Sequence, residues 1–160
     1  MEGIVYAPKE GDRLTQCAVH SHTPTPMPLL LVLEDALAEL RTVAPLARRA
    51  GFDEVEISER VIDARMYLEQ AIAGKVPLPE ALFIDLDRGL DGGCELLRFR
   101  NSHTALKAIP AVIWTVLRPH ERERCKEFGA VAFVSKNDDP NVLIEEFCSI
   151  IARSRQVAAD

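Results

Sequence analysis

"ALFIDLDRGLDGG", residues 81–93, is the stretch on which the fold turns. An apolar run leads into Asp85, a second acid follows at Asp87, and glycines occupy positions 89, 92 and 93. A short apolar run without strict alternation reads as a strand covered on both faces, the mark of a parallel sheet. A carboxylate at the end of such a strand has a particular meaning. In open parallel sheets the ligand site lies outside the carboxyl ends of the strands, near the point where strand order reverses. What matters is therefore which other strand ends lie beside Asp85.

Working outward, the same alternation recurs. "LLLVL" (29–33) is a buried strand, and "ALAELRTVAPLARRAG" (36–51) has helical spacing that closes on Gly51, with Pro45 implying a kink or an early break. "DEVEI" (53–57) reads as a more exposed strand, with Ser58 as cap for a helix over 59–73. After "EALFI" (80–84) comes a helix around 94–100, then the strand "PAVIWT" (110–115) and a charged helix from Pro119, "HERERCKEFG". "AVAFVS" (130–135) is the last strand, and Asp139 or Pro140 opens an amphipathic helix to about Ala152. Five strand–helix alternations imply an α/β, doubly wound, five-stranded parallel sheet with five helices.

Residues 1–28 stand apart. "SHTPTPMP" carries three prolines in eight residues, which favours an extended leader, and its His20 and His22 read as solvent-exposed. The domain then spans 29–153, with 154–160 as a tail. Met27, two residues before the first strand, suits an alternative start, so the leader is expected to be dispensable.

Composition narrows the function. Nineteen basic against 25 acidic residues give a net charge of −6, which opposes sequence-independent nucleic-acid binding. No apolar run is long enough to span a bilayer, and the N-terminus lacks a signal-peptide pattern. Cys17, Cys94, Cys125 and Cys148 are widely spaced without a CxxC pair, as expected of reduced thiols in a cytoplasmic protein.

The predicted strand ends carry Glu34 and Asp35, then Asp85, Thr115, and Ser135 with Lys136. Taken singly, each residue has an ordinary structural role as turn former, strand former or solvated cation. Together they make chemical sense. Clustered carboxylates favour a hard cation such as Mg²⁺, which accepts one or two of them and is completed by water and phosphate oxygens. An aspartate can itself take a phosphoryl group as an acyl phosphate. A lysine and a hydroxyl would then neutralise and hydrogen-bond the transferred group.

At these positions the chain resembles the receiver domain of two-component response regulators, over roughly residues 29–153. The resemblance implies the flavodoxin-like fold with strand order 2-1-3-4-5. It implies Glu34, Asp35 and Asp85 as ligands of Mg²⁺ or Mn²⁺, with Glu34 acting through water, and Asp85 as phosphoacceptor. Gly93, eight residues later in "DGGCELL", matches the family's glycine. Thr115 in "PAVIWT" matches the switch hydroxyl, Lys136 in "GAVAFVSK" the lysine, and Phe133 the switch aromatic. Gly89, Gly92 and Gly93 are expected to let the loop after Asp85 turn tightly around the metal and enter the next helix. "NSHTALKAIP" (101–110) resembles the long link of receivers that partner phytochrome-type kinases.

The implied function is a stand-alone receiver, because only 153–160 follow the last helix. Its partners would be a sensor histidine kinase or phosphotransfer protein and a downstream protein target. It would not be an enzyme beyond Mg²⁺-dependent self-phosphorylation and dephosphorylation. Signalling would use the face of the fourth helix, fifth strand and fifth helix, where "VLIEEFCSII" could also support a homodimer. Four positions depart from the pattern. Glu34 replaces the commoner Asp, Gly89 a frequent Pro, Val116 a small residue, and Asn137 the Pro after the lysine. Val116 is expected to border the phosphoryl pocket. Two other readings are a pseudo-receiver binding module without phosphorylation, and a phosphohydrolase using Asp85 and Asp87 of "DLDRGL" as a DxD pair.

Overall fold

The structure, a computed structural model, describes residues 27–86, 90–116 and 119–159. Five strands form one parallel sheet in the order β2-β1-β3-β4-β5. They are β1 (Leu29–Leu33), β2 (Glu54–Ser58), β3 (Ala81–Asp85), β4 (Ala111–Thr115) and β5 (Ala132–Ser135). The helices are α1 (Leu37–Arg49), α2 (Val61–Ile72), α3 (Leu90–Ser102), α4 (Thr104–Lys107), α5 (Pro119–Glu127) and α6 (Pro140–Ala159).

The apolar runs divide by parity, as a pleated strand requires. Leu30, Val32, Phe83, Val112, Trp114 and Val134 face one layer, packed under α1 and α6 with Leu46, Phe147 and Ile151. Leu31, Leu33, Leu82, Ile84 and Ile113 face the other, against α2, α3 and the buried Cys125 of α5. β2, at the edge, is the most exposed strand, with Glu54, Glu56 and Ile57 open to solvent and Ser58 buried. Cys94, Cys125 and Cys148 are free thiols, and burial pushes Cys125 up to about 12.

Several sequence expectations need correction. A sixth helix, α4, is a single turn inside the 101–110 link, too short to leave a periodic pattern. Pro45 neither breaks nor shortens α1; it lies on an exposed side, with the core side carried by Val43, Leu46 and Ala47. Gly51 does end that helix, at φ +80°, with the Phe52 amide donating to the Ala47 carbonyl at 3.0 Å. Ser58 is not a cap: it is the buried last residue of β2, and α2 starts at Val61, where Arg60 bridges to Asp63 at 2.7 and 2.8 Å.

The last helix continues through Ala159, so 154–159 are not a tail. Arg155 holds this end by donating to the Ala50 carbonyl (2.8 Å) and to Glu80 (3.1 Å) while covering the Phe52 ring. The apolar stretch proposed for a homodimer is already used. Leu143, Ile144, Phe147, Ile150 and Ile151 are buried in the chain's own core. What that stretch leaves exposed is Val142, Glu145, Glu146 and Ser149.

Among the described residues no helix is long and apolar enough to cross a membrane. The leader up to residue 26, and with it Cys17, His20 and His22, lies outside the described residues, as do Asp87 and Gly89.

Candidate functional site

Parallel register brings the strand ends together. Leu33 lies opposite Ile84, Asp85 opposite Trp114, and Thr115 opposite Ser135. The chain leaves the sheet one residue after Leu33, with the Glu34 amide donating to the Ser58 carbonyl at 3.1 Å. All six residues singled out at strand ends therefore lie along one edge.

Glu34 is fixed from two sides. One carboxylate oxygen accepts the amides of Asp35 and Ala36, both at 2.8 Å, and so satisfies two backbone donors just ahead of α1. The other oxygen accepts from Lys136 Nζ at 3.1 Å. Its side chain is wholly buried. Burial, and then a hydrogen bond shared with Glu39, raise its pKa to about 7. Extra length compared with aspartate is thus used to wrap the backbone and still reach the lysine.

Lys136, directly after β5, is the hub. Its ammonium stands 2.9 Å from Asp85 Oδ2, 3.1 Å from Glu34 Oε2, and in contact with Glu39 from the first turn of α1. Its side chain is only 7% exposed, so these pairs sit in reduced dielectric and are screened little by salt. The Trp114 ring lies below, with Nζ 4.8 Å from its centroid. Thr115 is buried at the end of β4, and its carbonyl accepts the Lys136 amide at 3.5 Å.

Glu34, Asp35 and Asp85 each offer an oxygen, all within 4.8 Å of one another. Three hard carboxylate donors at that spacing fit a hard divalent cation such as Mg²⁺ or Mn²⁺. They border a cleft of about 160 Å³ whose other walls include Glu59, Arg60 and Gly92.

Two expectations change here. Gly92 and Gly93 do not form a turn; both belong to α3, and neither has positive φ. The need at Gly93 is for space, since a Cβ there would lie 1.7 Å from Leu86 Cδ2. Val116 is 51% exposed and is not among the residues lining the cleft. Phe133 sits half-buried opposite Ile113, with the Arg122 guanidinium 5.1 Å from its ring. Of the DxD pair, Asp85 lies at this edge and Asp87 lies outside the described residues.

Sequence reasoning missed Glu39 and Trp114. An acid in a first helical turn ordinarily complements the helix dipole. A tryptophan in a buried strand ordinarily fills core. Only the fold shows that both meet Lys136.

No protein-family model matches the chain, and no curated protein does. Solved structures do. The Mn²⁺-bound form of response regulator Rcp1 matches with TM-score 0.64 at 22% identity, over 77% of this chain and 91% of that one. The phosphorylated cyanobacterial phytochrome response regulator RcpA gives 0.65 at 21%, over 78% and 91%. Chemotaxis response regulator CheY4 of Vibrio cholerae gives 0.62 at 21%, over 78% and 98%. The likeness is one of fold. This chain has the flavodoxin-like fold of response-regulator receiver domains, with the strand order that the resemblance implied.

Proposed function

We propose that the protein is a phosphorylatable receiver that takes a phosphoryl group on Asp85. The observation that carries this reading is the Lys136 ammonium, 2.9 Å from Asp85 at the edge where Glu34 and Asp35 also gather. An Asp85 carboxylate oxygen forms a bond to phosphorus as the donor's bond to phosphorus breaks. The leaving electron pair departs with the imidazole of a phosphohistidine, or with acetate from acetyl phosphate. A cation held by Glu34, Asp35 and Asp85, Mg²⁺ in this reading, supplies charge neutralisation on the phosphoryl oxygens. Lys136 neutralises the same group from the β5 side, and Thr115 donates its hydroxyl to a phosphoryl oxygen. The donor would be a sensor histidine kinase or a phosphotransfer protein. The long 101–110 link, with its extra turn α4, favours a kinase of the phytochrome type.

Output would pass through protein contact at the α5, β5 and α6 face, with Phe133 following Thr115. A groove there is lined by Ala132, Phe133, Glu145, Glu146, Ser149 and Arg153. Its charged rim suits a polar partner better than a second copy joined through apolar surface.

Intact mass after incubation with acetyl phosphate and Mg²⁺ tests the reading. The parent should gain one phosphoryl group, only with the cation present, and Asp85→Asn should gain none. An Asp85→Asn variant labelled at the parent's rate would refute the assignment. A parent that takes no label would favour the pseudo-receiver.

A further inference from the structure

We infer that Glu39 is a built-in anionic occupant of Lys136, which an arriving phosphoryl group has to displace. Glu39 thereby sets how readily the site accepts that group; this rests on the receiver reading above.

Lys136 stands against three carboxylates, and they are not equivalent. Glu34 is pinned by two backbone amides and is wholly buried. Asp85 ends a central strand with its side chain 8% exposed. Both belong, with Asp35, to the set that can share a cation. Glu39 belongs to no such set. It reaches in from the first turn of α1, and its side chain is 33% exposed. When charge is redistributed at this edge, Glu39 is the carboxylate that can move to water.

The electrostatic consequence has a definite sign. A phosphoryl group is drawn to the ammonium, and a carboxylate already on that ammonium cancels the attraction over the same few ångströms. Displaced Glu39 gives up its hydrogen bond with Glu34 but remains favourable as an anion near the N-terminus of α1, which offsets part of that loss. The site therefore exists in two populations, with Lys136 engaged by Glu39 or open. Apparent affinity for an incoming anion falls by the open fraction. This makes Glu39 a positioning residue, acting through Lys136 rather than on the reacting atoms.

Two measurements on the full chain with Mg²⁺ test it. One is calorimetric binding of beryllofluoride, a non-covalent phosphoryl mimic. The other is the acetyl-phosphate concentration dependence of labelling at Asp85. Glu39→Gln should tighten beryllofluoride and lower the half-saturating acetyl phosphate by about tenfold, leaving the maximal rate within about twofold. Glu39→Asp keeps the charge but shortens the arm, and should resemble Glu39→Gln. If Glu39→Asp behaves like the parent, the effect is a general field and displacement is wrong. An altered maximal rate at unchanged half-saturation would overturn it as well. A parent labelled at Asp85, with Glu39→Gln identical to it, sinks the Glu39 inference alone. If parent and variants neither bind beryllofluoride nor take label, the receiver reading fails and takes this inference with it.

Discussion

Two cations are buried at opposite ends of this sheet, and they are satisfied in opposite ways. Arg100, near the C-terminal end of α3, is 4% exposed. It donates to the carbonyls of Ile109 (2.6 Å), Lys107 (2.9 Å) and Gly129 (3.3 Å) and to the side chain of Asn101 (2.7 Å). No carboxylate pairs with it among the described residues, and burial lowers its pKa from the usual guanidinium value. Lys136 is held by carboxylates instead. Backbone dipoles cannot leave, so Arg100 is a permanent brace joining α3, α4 and the loop before β5. Side-chain carboxylates can be exchanged for other anions, and among the partners of Lys136 the partly exposed Glu39 is the one placed for such an exchange. Burial of a cation says little by itself; the kind of partner separates scaffold from site.

The largest test of that contrast is substitution of both. Arg100→Leu leaves several buried acceptors unpaired at about 1–3 kcal/mol each, so a loss of about 3–5 kcal/mol is expected by urea denaturation. Arg100→Lys should recover little, because a point ammonium cannot match a planar fork. Lys136→Met should cost less, about 2 kcal/mol in EDTA, because Glu34 can take up a proton rather than stand uncompensated. Millimolar Mg²⁺ should restore much of the Lys136→Met loss and none of the Arg100→Leu loss. Equal rescue of both, or of neither, would end the distinction.

A smaller effect follows from Glu34. Its folded pKa, near 7, is raised above the unfolded value, so the folded state holds the proton more tightly. The stabilisation is complete below the ordinary carboxylate pKa, near 4.5, and is lost as pH rises through about 7. Melting of the cation-free protein should therefore fall between pH 5 and pH 8, and Glu34→Gln should flatten the slope. Arg100 stays charged throughout, so its variants should leave the pH profile's shape unchanged. A cation-free parent with no slope in that window would remove the proton from Glu34.

The smallest effect is expected at Val116. Being half exposed, it can crowd the approach to Thr115 only from outside. Val116→Ala should speed acetyl-phosphate labelling and shorten the phosphorylated lifetime by less than about tenfold, or about 1.4 kcal/mol of barrier. Unchanged rates would show that the side chain points away from the path.

The strand ends were legible because each is written locally, as an apolar run closing on one polar residue. Asp85, Thr115 and Lys136 could be read that way, and parallel topology then placed them together. Glu39 could not. Its partner is 97 residues away, and nothing near it separates a dipole-complementing acid from a lysine-binding one. The glycines misled for a related reason. Gly92 and Gly93 resemble turn residues in sequence, and the approach of Leu86 that excludes a side chain at 93 is a tertiary fact. The end of α6 depends likewise on Arg155 finding Ala50, 105 positions earlier.

The protein contains one tryptophan, and the fold has put it beneath the lysine at the centre of the site. Its indole N–H is buried and finds no acceptor among the described residues. Phe83 stacks against the ring at 5.1 Å. An indole in such surroundings emits at the short-wavelength end of its ultraviolet range, and its excited-state dipole responds to charge nearby. Any event that moves the ammonium, or changes the anions around it, alters the field across that one chromophore. The native chain thus carries its own optical gauge of site occupancy, readable by ultraviolet emission without a label.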